Sequence, residues 1–174
     1  MVANRASLIE RGMAAGLAGG LAEILWVSLY SEATGGNAAV IARGVTTAAG
    51  LNALLPEAPV TVGIVTHMLL AVALGVALAF AWQWFSVRAR SAAACYLFVL
   101  ACLIGVWTMN FFVILPLLSP PFIALLPYAV SLTSKLLFGL AAAETLRRCA
   151  MLRVARMPVT IAVAATSKKR HPAK

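Results

Sequence analysis

Apolar residues gather into four long runs, at 13–30, 60–85, 92–115 and 122–146, and most of the charge lies outside them, chiefly at the two ends of the chain. Each run approaches or exceeds the ~20 apolar residues that cross a bilayer core, so each is expected to be a spanning helix. The second closes on Trp82, Trp84 and Phe85, side chains suited to a membrane interface. Pro116, Pro120 and Pro121 are expected to break the third, and Pro127 to kink the fourth. Ser31-Glu32-Ala33 loosely resembles a signal-peptide cleavage site, but the length of the first run and the presence of Glu23 within it favour a retained helix.

The longest connection has a pattern of its own. After Asn37, a candidate N-cap, Ile41, Val45, Ala48, Leu51 and Leu55 recur at helical spacing until Pro56. This predicts a short amphipathic helix on the outer side, although Gly44 and Gly50 weaken the pattern. The expected fold is all-α: an integral membrane four-helix bundle over residues 1–148, followed by a basic tail at 149–174.

Composition agrees. At 63% hydrophobic and 11% charged, 174 residues carry more apolar surface than one soluble core can hide. A net charge of +9 would suit nucleic acid if it formed a patch. Instead, twelve of the fourteen Lys and Arg residues lie at the two ends or in the turn containing Arg88 and Arg90. The positive-inside rule then places both termini in the cytoplasm, and the tail is expected to meet anionic lipid and not nucleic acid. Residues 159–165 are too short to span, and the closing SKKRHPAK is expected to lack fixed structure. Cys95, Cys102 and Cys149 form no CxxC pair and are read as small apolar packing residues.

Glycine spacing suggests how the helices pack. Gly12, Gly16 and Gly20, with Gly19 beside them, form a groove for a close neighbour, expected to be filled within the chain ahead of a dimer partner. His67, Ala71, Gly75 and Ala79 share a face of the second run, and Gly139 lies in the fourth.

Four polar residues, one in each run, stand out: Glu23, His67, Asn110 and Lys135. A charge at mid-bilayer costs roughly 2.5 to 3.5 kcal/mol, so Glu23 and Lys135 are expected to pair, with His67 and Asn110 as hydrogen-bonding neighbours in the same layer. Fixing helix register and lining a transport path are both open roles for that pair. Thr66-His67-Met68-Leu69-Leu70-Ala71 and Ser134-Lys135-Leu136-Leu137-Phe138-Gly139 share a local pattern that suggests two related hairpins. His67, with Met68 or Met109, could in principle ligate haem, but His171 lies in the tail and no cofactor or metal is expected. The chain has no Asp, no Ser-His-acid signature, no phosphate loop and no HExxH motif, so no enzymatic activity is expected.

The basic start, the Gly-rich first helix with its acid, the amphipathic connection and the later helices bearing His and Lys resemble small uncharacterised four-helix inner-membrane proteins of bacteria. The resemblance covers the layout and implies no chemistry. The leading expectation is a non-enzymatic subunit acting in a homo-oligomer or larger membrane complex. A small ion-coupled transporter using Glu23, His67 and Lys135 is the alternative, and a haem or redox membrane subunit is the third.

Overall fold

A computed structural model of the chain describes residues 2–85 and 91–155. The turn with Arg88 and Arg90, the apolar stretch at 159–165 and the closing basic residues with His171 lie outside the described residues. Every regular element among the described residues is helical, and four helices are long and apolar enough to cross a membrane. They are α1 (Val2–Ala33), α3 (Pro59–Phe85), a third that begins with α4 (Ala92–Met109), and α7 (Tyr128–Ala155).

Helix α1 is longer than its apolar run predicts. Hydropathy marks where a helix becomes greasy, but Arg5, Glu10 and Arg11 are good helix formers, so the backbone coils on through the polar start. The connection contains α2 (Ala38–Ala48), where the Asn37 side chain accepts from the Ala39 N–H at 2.9 Å as an N-cap. The helix stops well short of Leu55. Gly50 takes a φ of +70°, and the Gly50 and Leu51 amides bond back to the Thr47 and Thr46 carbonyls, which closes a Schellman end. The buried Thr46 hydroxyl donates to the Pro59 carbonyl at 2.6 Å and so fastens the end of α2 to the start of α3. Gly44, a weakness in the helix pattern, sits against Phe122 and Leu125 where a side chain would collide.

Pro116 does not break the third long helix. The chain passes from α4 through a π-helical turn (Asn110–Ile114) into α5 (Leu115–Leu118), with the Leu115 amide bonded to the Asn110 carbonyl. The wider turn accommodates a residue that has no N–H and whose ring crowds the preceding turn. The break falls at Ser119, whose φ of −153° and ψ of 71° are non-helical, as the residue before a proline prefers. Pro120 then opens α6 (Pro120–Ile123). The fourth run is therefore two helices and not one kinked at Pro127. Pro127 precedes α7, and its carbonyl accepts the Val130 and Ser131 amides, so its missing N–H is never needed within the helix.

Chain order and spatial order differ. α1 packs along both α3 and α7, α7 also packs along α4, and the consecutive helices α3 and α4 meet only lightly. The α1–α3 contact is backbone on backbone: a Cβ at Gly12, Gly16 or Gly75 would come within 2.5 Å of backbone atoms of the other helix. The glycine groove is thus filled by α3 of the same chain. Gly19 makes room for the fully buried Phe138 of α7, and Gly139 makes room for Leu100 and Leu103 of α4. A buried apolar cluster including Ala15, Leu78, Val99, Leu103, Phe138 and Ala142 joins all four long helices towards the end away from α2.

Candidate functional site

Glu23 lies about 15 Å along α1 from its end at Ala33, while His67 and Lys135 lie about 12 and 10 Å from the starts of α3 and α7. Because α1 runs opposite to the other two, all three reach a similar level on the α2 side. The Glu23 residue is buried, with 4% of its surface exposed.

Its carboxylate is held from α7. Lys135 Nζ stands 2.7 Å from Oε1 and 2.9 Å from Oε2, so a single ammonium serves both oxygens. The Ser134 hydroxyl lies 3.1 Å from Oε1 and 2.8 Å from the Ser131 carbonyl, and its one proton can serve only one of them at a time. The ammonium also lies 5.8 Å from the centre of the Phe138 ring, close enough for a cation–π contribution. Opposite charges in this apolar layer stabilise each other and remove the need for water.

His67 approaches the same carboxylate from α3. Its Nε2 is 3.8 Å from Glu23 Oε2, beyond hydrogen-bond range. That nitrogen is buried and has no hydrogen-bond partner, while the imidazole as a whole neighbours the Gly20 backbone carbonyl. The two similar hexapeptides thus bring a basic side chain to one acid from two sides. Their small last residues do different work: Ala71 packs on the α1 glycines, and Gly139 packs on α4.

Asn110 does not join this layer. It occupies the first position of the π-helical turn, and its side chain makes no hydrogen bond to Glu23, His67 or Lys135 among the described residues. Asn110 lies outward of the layer: Trp107, three residues before it, meets Ser131, four residues before Lys135 on the antiparallel helix, so Asn110 and Lys135 differ in depth by about 10 Å. Residues not singled out take part instead. Trp107 Nε1 donates to Ser131 Oγ at 3.0 Å, Ser131 Oγ lies 3.0 Å from the Tyr128 carbonyl, and Trp26 Nε1 donates to the Val130 carbonyl at 3.0 Å. These contacts tie α1 and α4 to the first turns of α7, next to Ser134 and Lys135. Trp107, Phe111, Phe112 and Tyr128 stack around the same place.

A second ionic group lies near the other end of α7. Glu144 accepts from Arg147 at 3.0 Å, from Arg148 at 2.5 Å and from the Tyr96 hydroxyl of α4. The i,i+3 and i,i+4 spacing makes the two arginine contacts legible in sequence, whereas the Tyr96 contact depends on how α4 is placed. Met68 Sδ packs beside Gly20, and Met109 is exposed. Among the described residues no group of three or more His, Cys, Asp or Glu side chains is arranged to hold a metal ion. Comparison with protein-family models, curated proteins and solved structures finds no match to this chain.

Proposed function

We propose that this chain is a non-enzymatic, multi-pass protein of a bacterial cytoplasmic membrane, a four-helix bundle with both termini inside, acting as a small subunit in a homo-oligomer or larger membrane complex. The observation that carries the reading is the closure of Glu23: both oxygens meet Lys135 and one also meets Ser134. The carboxylate is committed to joining α1 and α7. A pair of this kind serves helix order and register, the best-supported use of buried charge.

Membrane placement is supported by the outward faces. Met13, Leu17, Leu21, Leu25 and Leu29 form an exposed apolar stripe along α1, suited to acyl chains. The third long helix presents Leu97, Ile104, Met109 and Phe112 outward, a surface for lipid or a neighbouring subunit. Arg5, Arg11, Arg147 and Arg148 fall at one end of the antiparallel α1–α7 pair, which supports an inside face against anionic lipid.

A small ion-coupled transporter is the second reading, favoured by one observation: the His67 and Lys135 side chains stay 26% and 17% exposed beside the buried acid. A double-mutant cycle separates the two. In lipid bicelles, Glu23→Gln and Lys135→Met should each cost about 3–5 kcal/mol, because each leaves a buried charge unpaired. The double variant should return close to wild type. Additive losses would sink the structural reading and bring the transporter forward.

A further inference from the structure

The structural role needs only Glu23, Lys135 and Ser134, and leaves His67 unexplained. A buried nitrogen without a partner is rare, because desolvation is then uncompensated. Here the uncompensated atom is directed at an acid. An imidazole nitrogen without a proton presents a lone pair, which an anionic carboxylate oxygen 3.8 Å away repels. With a proton, the same nitrogen becomes a cationic donor facing its natural acceptor.

We infer that His67 Nε2 and Glu23 Oε2 form a proton-binding site within the apolar layer, going beyond the register role of the Glu23–Lys135 pair. The ligand is a proton taken from water and held on Nε2. No covalent bond other than N–H forms, and the charge of the triad changes from neutral to +1. Lys135 keeps Oε1, its nearer contact at 2.7 Å, while Oε2 turns to His67. Before protonation, Glu23 links α1 to α7 alone; afterwards it links α1 to both α3 and α7.

Two charged groups face the imidazole: Glu23 from α1, which attracts the added proton, and Lys135 from α7, which together with burial opposes it. α2 touches α3 through Thr46 at Pro59 and Ala42 at Gly63, neither of which titrates. α4 meets α3 through Phe98 against Trp82 and Phe85, far along α3 from His67. The imidazole is not fully enclosed by the helices: 26% of the His67 side chain stays exposed at their surface.

The test is nitrogen NMR of the full chain in bilayers. The sequence has two histidines, so 15N-imidazole labelling yields two sets of signals, and His67→Gln identifies those of His67. As pH falls from 8 to 4.5, His67 Nε2 should pass from lone-pair to protonated nitrogen while the Glu23 carbon signal stays that of a carboxylate. The proton on Nε2 should resonate as a hydrogen bond to an anion, and that feature should vanish in Glu23→Gln/Lys135→Met. The Nε2 to Oε2 separation, followed through the 15N–13C coupling to the Glu23 carboxyl, should contract from 3.8 Å into hydrogen-bond range. This last measurement uses wild type only, so it stands if the double variant fails to fold. A His67 Nε2 still unprotonated at pH 4.5 in folded protein, a separation that does not contract, or an unchanged proton signal in the double variant would overturn the site.

Discussion

The tightest place in the molecule is the crossing of α1 and α3, and a single methyl group tests it. A Cβ added at Gly75 would lie 2.3 Å from Gly16 N, 2.4 Å from Gly12 O and 2.5 Å from Gly16 Cα. Ordinary contact begins near 3.4 Å, so Gly75→Ala forces the two backbones apart by about 1 Å. No side chain can rotate away, because every obstructing atom is backbone. A gap of that size forfeits about a quarter to a half of each dispersion contact along the crossing, including those of Gly12, Gly16, Ala71 and Val72. The expected loss is about 3 kcal/mol, the upper end for an overpacked site. Gly105→Ala supplies the control, since nothing lies within 4 Å of its Cβ position. Both substitutions gain the same ~0.5–1 kcal/mol of helix propensity, so their difference isolates the packing. Steric-trap unfolding in bicelles reads each free energy directly. If the two variants agree within about 0.5 kcal/mol, the backbone contact is wrong and so is the intramolecular use of the glycine groove.

Two other substitutions probe the edges of the site. Asn110→Leu should leave stability and the Glu23–Lys135 coupling within about 0.5 kcal/mol of wild type in the same assay, and a larger loss would return Asn110 to the polar layer. Thr46→Val removes the 2.6 Å bond to the Pro59 carbonyl and should cost about 1 kcal/mol, with faster hydrogen exchange in α2; unchanged exchange would show that the bond does not hold α2 down.

Much of the helical layout was legible in the sequence. The four apolar runs, Asn37 as a cap and the helix that follows it are local features, set by hydropathy, periodicity and one side-chain hydrogen bond. The prolines were less legible. Pro116 was accommodated by a π-helical turn, and Pro127 stands just before a helix where a kink was expected, because the effect of a proline depends on which neighbouring carbonyls it must avoid. Glu23 and Lys135 stood out as opposite charges in two apolar runs, and Ser134 appeared only as part of a local repeat; Ser131, Trp107 and Trp26 did not stand out, since hydroxyls and indoles are ordinary in such segments.

By itself the sequence determined that the described residues are largely helical, that four helices among them are long and apolar enough to cross a membrane, and that charges occur inside them. These properties depend on residues a few positions apart, where backbone geometry alone carries the information. Tertiary structure decided which helices are neighbours: α3 beside α1 through bare glycine backbone, and α4 beside α7 with little contact to the helix it follows. It also decided that His67 faces Glu23 without bonding to it and that Asn110 stands apart. Position along a helix follows from counting residues, but the relative level and the direction of a side chain follow from how several helices shift and rotate together to bury their small faces, a choice no single segment contains.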